Sequence, residues 1–261
     1  MKKLQFTYEM TLRFDEPVRD HYFALRCVPM SNAAQQIQIE NRYVYPTDCL
    51  NEVVDGFGNH KYVGHYFDNH KQFTYEISGT AVVEGMRVIQ EPLHSMYKFP
   101  SRLTRPGTEL KAFLEKLQSE ENFSSKSNLE KAITIMNAVY DVMEYKADVT
   151  DIHTTAEEAL EGKIGVCQDY AHICIASCRL AGIPARYVNG LMIGEGATHA
   201  WLEIYTGKGW YGLDPTNNLH VDDYYIKLAH GRDYGDCVLD KGRFLGSVNQ
   251  TQQIKVCVEE I

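Results

Sequence analysis

A thiol, an imidazole and a carboxylate can together break an amide bond, and the stretch from Cys167 to Asp214 holds one of each in a usable order. Cys167 lies in Gly165-Val166-Cys167-Gln168-Asp169-Tyr170, where a helix over about 166–181 is expected to begin. Unpaired N–H groups and the dipole at a helix start favour a thiolate there. Asp169 suits the same helix end, yet its charge opposes the thiolate, so a neighbouring base would help. A cysteine met alone is more simply a core thiol. Cys174 and Cys178, which share a helical face with Cys167, fit that plain reading.

The base is expected at His199, which opens the strand pattern His199-Ala200-Trp201-Leu202-Glu203-Ile204-Tyr205. Thr206-Gly207-Lys208-Gly209 then turns into Trp210-Tyr211-Gly212-Leu213-Asp214. A hairpin closed over Gly207-Lys208 sets Tyr205 opposite Trp210 and Trp201 opposite Asp214. Strand side chains alternate, so His199, Trp201 and Asp214 share one face. Asp214 is then a diagonal step from His199, about 7–8 Å between backbones, which two side chains can close. A carboxylate there fixes the imidazole tautomer and stabilises its charged form. Singly, His199 reads as an exposed strand histidine and Asp214-Pro215 as a strand-ending turn. All three groups meeting in one register is a much narrower coincidence.

Positioning these groups takes helices followed by a sheet. Leu110, Phe113, Leu114 and Leu117 recur at helical spacing, as do Leu129, Ile133, Met136, Val139, Tyr140 and Met143. Thr155-Ala156-Glu157-Glu158 reads as a capping box opening a short helix that Gly162 ends. Gly182-Ile183-Pro184 stops the helix begun near Cys167. Strands are expected at 186–193, 199–205, 210–213 and 224–228, with a final one at 253–258. This makes 108–261 an α+β unit. Residues 1–91 have another texture. Phe6, Tyr8, Met10 and Leu12 alternate with polar residues, and β-rich runs recur at 22–28, 36–45, 62–67 and 73–77. Turn signals fall at Asp15-Glu16-Pro17, Pro29, Asp55-Gly56-Phe57-Gly58-Asn59 and Asp68-Asn69. The expectation is an antiparallel β-sandwich or barrel domain. Residues 92–107, with Pro92, Pro100 and Pro106, read as a linker across the surface.

Composition narrows the function class. With 44% hydrophobic and 23% charged residues, the 261-residue chain is not largely disordered. A net charge of −9 argues against nucleic acid as a partner. No run approaches the roughly 18 apolar residues of a membrane span. Lys2 and Lys3 are followed by no apolar run, so no export signal is expected. The seven scattered cysteines then suit free thiols in a reducing cytoplasm.

Taken together, four segments resemble the bacterial transglutaminase-like cysteine peptidases: Gly165-Val166-Cys167-Gln168-Asp169-Tyr170-Ala171-His172, Leu180-Ala181-Gly182-Ile183-Pro184-Ala185-Arg186-Tyr187-Val188, Thr198-His199-Ala200-Trp201-Leu202-Glu203-Ile204-Tyr205 and Gly209-Trp210-Tyr211-Gly212-Leu213-Asp214-Pro215-Thr216-Asn217-Asn218. Gly231-Arg232-Asp233-Tyr234 resembles their segment after the triad, and Asp55-Gly56-Phe57-Gly58-Asn59 their β-rich N-terminal region. The close match covers about 155–234. The resemblance implies a papain-like, transglutaminase-like core. In it Cys167 is the nucleophile, His199 the general base and acid, and Asp214 the orienter. It leaves the substrate open among peptidases, amidases, amide-forming transferases and deglycosylating enzymes.

The expected chemistry is thiolate attack on an amide and a thioester resolved by water or an amine. The Cys167 N–H is one oxyanion donor. Gln168 is the candidate for a second, with Tyr145 and His153 beside it. Trp201 is expected to wall the cleft. The gaps of 32 residues from Cys167 to His199 and 15 from His199 to Asp214 leave no insertion for a water-excluding lid. Water at about 55 M then outcompetes a millimolar amine, unless binding concentrates the amine. Hydrolysis of a peptide-type amide or isopeptide is therefore expected, by a cysteine protease or amidohydrolase. An amine-accepting acyl transferase and a non-catalytic interaction module on the same fold are the alternatives. The partner is a peptide or protein substrate, with a homo-oligomer left open and no membrane contact. No cofactor is expected. His60, His65 and His70 recur every five residues, but that step alternates strand faces, so no metal site is expected. Arg186 and Arg232-Asp233 read as structural charge pairs, and Trp210 as packing.

Overall fold

The structure, a computed structural model, describes residues 1–85, 87–120 and 123–261. β1 (Lys2–Leu25) organises the first sheet. Its alternating Leu4, Phe6, Tyr8 and Met10 are buried. The first half of β1 lies antiparallel between β5 (His70–Val83) and β15 (Gln250–Glu260). Past an irregularity between Arg13 and Val18, its second half lies between β4 (His60–Tyr66) and β14 (Asp240–Leu245). β2 (Gln35–Tyr45) adds to β5, β3 (Cys49–Val54) to β4, and β9 (Gly194–Gly196) to β15. Both halves share β1, so the sheet curls around Phe6, Phe23, Phe73 and Tyr75.

Three sequence expectations differ from this. Asp15-Glu16-Pro17 makes no turn; β1 carries these residues through its irregular stretch, because pairing on both sides outweighs local turn propensity. The final strand is longer than 253–258 and hydrogen-bonds to β1, not to the core sheet. β14 does likewise, and its Lys241-Gly242-Arg243 offered no apolar alternation to reveal it. Residues 92–107 are more than a strap on the surface, though half of them are exposed. Tyr97, Leu103 and Thr104 are buried, and the buried Arg179 donates to the Tyr97 carbonyl and Thr104 Oγ1.

The core packs α1 (Thr108–Glu120), α2 (Asn128–Val142), α3 (Ala156–Gly162) and α4 (Cys167–Leu180) against a second antiparallel sheet. β6 (Glu144–Tyr145) and β7 (Ile164–Gly165) form a short parallel pair. The second sheet runs β12 (Leu219–His220), β11 (Trp210–Asp214), β10 (His199–Tyr205), β8 (Ala185–Met192), β13 (Tyr225–Gly231). This is an α+β core with a β-rich N-terminal region. Capping boxes at Ser127/Glu130 and Thr155/Glu158 start α2 and α3. α4 is buried from Asp169 to Arg179. It ends where Gly182, at φ 79°, lets the Ile183 N–H reach the Cys178 carbonyl at 2.8 Å. The outer edge of β13 is closed by two amide side chains from the N-terminal region. Gln35 exchanges hydrogen bonds with the Lys227 backbone, and Asn59 with that of His230. The Asp55–Asn59 turn thus ties the curled sheet to the core.

Candidate active site

The hairpin closes in the expected register, Tyr205 opposite Trp210 and Leu202 opposite Leu213. His199 Nε2 donates to Asp214 Oδ2 at 2.8 Å. The Asp214 carboxylate is fully buried. Its Oδ2 also accepts from Asn217 Nδ2 and the Tyr225 hydroxyl, each at 2.8 Å. Its Oδ1 accepts from the Thr216 N–H at 3.0 Å and the Asn217 N–H at 3.3 Å. Burial alone would favour the neutral acid, but the bonds from His199, Asn217 and Tyr225 hold the carboxyl below the usual carboxylate range. Neither Asn217 nor Tyr225 was found from sequence. Asp-Pro-Thr-Asn carries a turn signal that could have exposed Asn217. Tyr225 gave none, since it reaches Asp214 from β13, three places away in the sheet.

Burial also works against the charged ring of His199, yet the Asp214 and Cys167 side chains outweigh it and lift the imidazole to about 10. With Nε2 given to Asp214, Nδ1 is the ring nitrogen left to meet the thiol. Cys167 is partly exposed as the first residue of α4, where the leading N–H groups have no intrahelical acceptors. Asp169, which sequence reasoning set against the thiolate, is occupied elsewhere. Its Oδ2 accepts from the Val166 N–H at 2.8 Å and Thr150 Oγ1 at 2.7 Å, and burial raises its proton affinity.

The other candidates separate. Gln168 Nε2 donates to the Asp151 carbonyl at 3.4 Å, tying its side chain to the loop before α3. His153 faces Arg102 at 3.1 Å. Burial raises the phenol of Tyr145, with the charge of Cys167 adding to the effect. Trp201 is 1% exposed, too deep to wall an open cleft; its ring lies 6.3 Å from that of His199 and backs it from within. Cys174 and Cys178 are buried, and burial pushes both thiols up, Cys178 to about 12.

His60 meets Glu52 at 2.7 Å, His65 meets Cys49 at 3.0 Å and His70 meets His21 at 3.1 Å, so the three diverge. Among the described residues no group of three or more metal-ligating side chains converges. Arg186 pairs with Glu203 and Glu91, and Arg232 with Asp236 instead of Asp233. Among the described residues no helix is long and apolar enough to cross a membrane.

Residues 117–215 match the transglutaminase-like superfamily core, and residues 4–83 the bacterial transglutaminase-like N-terminal region. An uncharacterized protein of Mycobacterium leprae is 39% identical over 114 residues, covering 40% of this chain and 40% of that protein. One of Mycobacterium bovis is 39% identical over 118 residues, covering 39% and 38%. These matches therefore span well under half of either relative. A crystal structure from Cytophaga hutchinsonii, described as a "putative cysteine protease", aligns with all 100% of this chain and 91% of its own. Its TM-score is 0.79 at 24% identity, a likeness of fold.

Proposed function

From a chain that belongs to the transglutaminase-like superfamily, with the bacterial N-terminal region ahead of its core, we propose a thiol hydrolase that cleaves a peptide-type amide or isopeptide bond. Cys167, His199 and Asp214 are its triad. The observation that carries the reading is an imidazole bonded to a buried carboxylate at 2.8 Å, its charged form favoured by both Asp214 and Cys167. At neutral pH the proton rests on His199, so the ring acts first as an acid. The Cys167 thiolate adds to the carbonyl carbon, and the oxygen takes the displaced electron pair. The leading N–H groups of α4 are the donors available to that oxyanion. His199 protonates the departing nitrogen, the C–N bond breaks and a thioester remains. The neutral ring then takes a proton from water, whose oxygen adds to the thioester and releases the acid and the Cys167 thiolate, leaving the proton back on His199.

The test is a panel of peptides and simple amides, with wild type against Cys167→Ala and no added amine. New amino termini or ammonia from wild type alone would support hydrolysis. Strict dependence on a primary amine would make the protein an acyl transferase. Equal turnover by Cys167→Ala would remove Cys167 from the mechanism.

A further inference from the structure

A groove of about 960 Å³ opens between the curled sheet and the core. On the sheet side Tyr22 lies opposite Arg243 and Ala24 opposite Lys241, so these four side chains share one face of the β1–β14 ladder. On the core side stand Arg102 and Arg232, with His153 bonded to Arg102. Apolar surface between the walls comes from Leu103, Ile152 and Val238.

This is a cationic place on a chain of net charge −9. Its lining sets Arg102, Arg232, Lys241 and Arg243 against three carboxylates, all of which accept hydrogen bonds within the protein. Asp236 pairs with Arg232 at 2.8 Å, and Asp233 accepts from the N–H groups of Leu103 and Gly235. Asp240 accepts from Gln252, and burial raises its proton affinity. Among the described residues Arg102, Lys241 and Arg243 form no ion pair. Cations facing each other across a groove repel unless an anion lies between them.

One connection leads from the groove toward the thiol. The Asp151 carbonyl holds Gln168, the neighbour of Cys167, and the next two residues, Ile152 and His153, line the groove. On the other side Tyr234 lines it and packs edge-on against the buried Tyr187, rings 6.3 Å apart.

We propose that this groove receives an acidic segment of the peptide substrate, whose Glu or Asp carboxylates bridge Arg102 on the core to Lys241 and Arg243 on β14. The inference rests on Cys167 as the amide-cleaving nucleophile, with Ile152 and His153 of the groove following directly on the Asp151 carbonyl that holds Gln168. Guanidinium groups suit carboxylates by their paired donors. A peptide is favoured over nucleic acid because a continuous phosphate chain running beyond the groove would lie along a chain of net charge −9.

The experiment measures polarisation of fluorescein-labelled hexaglutamate with Cys167→Ala protein, so that binding is read without turnover. Binding should weaken as salt is raised, and fall roughly tenfold when Lys241→Glu and Arg243→Glu are added together. Lys241→Gln with Arg243→Gln should give a smaller loss with an unchanged circular dichroism spectrum. Equal affinity for hexaglutamate and hexaglutamine would overturn the proposal, as would full affinity in the charge-reversed protein. An oligothymidylate of equal charge that binds more tightly than hexaglutamate would overturn the peptide assignment. Salt-sensitive hexaglutamate binding beside a wild type inert toward every amide would refute the hydrolase reading alone.

Discussion

Five hydrogen bonds reach the Asp214 carboxylate, and the one from His199 is the bond the proposed triad would use. Asp214→Asn keeps the shape and loses the charge that stabilises the imidazolium. The variant should fold and lose on the order of 10⁴ in turnover, as comparable triads do; near-normal rates would take Asp214 out of the mechanism. The thiols offer an independent check. Cys167 is partly exposed at a helix start beside an imidazole, whereas burial pushes Cys174 and Cys178 up. Iodoacetamide at pH 6, followed residue by residue by mass spectrometry, should label Cys167 well before either. Equal labelling rates would count against it as nucleophile. At this scale the sequence was most legible where contacts are local. The turn at Gly207-Lys208 fixed the hairpin register, and the register brought His199 to Asp214. Tyr225 was invisible because its contact depends on the order of strands, which no local pattern encodes.

Elements hold those residues through close approaches that spacing alone does not reveal. Gly190 on β8 lies opposite His199, and a Cβ there would come within 2.3 Å of the Trp201 ring and of the Ile226 carbonyl. Trp201 is buried and backs His199, so it has little room to give. Gly190→Ala should therefore lower stability by about 1–3 kcal/mol, the range for overpacking a filled core. Urea denaturation of the two proteins measures this, and a coincident midpoint would show that the packing yields. The helices were legible because capping boxes and a glycine stop mark their ends locally. The strands of the curled sheet were harder to read. Asp15-Glu16-Pro17 carries turn chemistry inside β1, and the exposed Lys241 and Arg243 carry no apolar period inside β14. Both are strands because of the partners they meet, not because of their own residues.

The whole molecule is closed by its ends, with β14 and β15 returning to β1 while Gln35 and Asn59 seal β13. The fold buries His21 and His172 and half-buries His230, imidazoles that no proposed chemistry uses. Burial pushes His21 and His172 down to about 4, and it pushes His230 lower still with help from Lys227 and Arg186. His172 accepts the Tyr234 N–H through Nε2, a bond available only to the neutral ring. Each folded-state value lies below the roughly 6.5 of an unfolded histidine. Their contribution to stability is thus complete above that pH and is lost as pH falls toward 4. His199 has the opposite sign. Lifted to about 10, it stabilises the fold below 6.5 and loses that effect as pH rises. Glu203, held near 2 against burial by Arg186 and Lys227, sheds its contribution only at lower pH. Asp169 and Asp240, raised by burial, offset part of the loss by binding protons early. Between pH 6.5 and 4.5 these three imidazoles should dominate, each by up to about 1.4 kcal/mol per pH unit. Thermal midpoints should fall steadily over that window. A flat profile would mean that these rings are not held neutral in the fold.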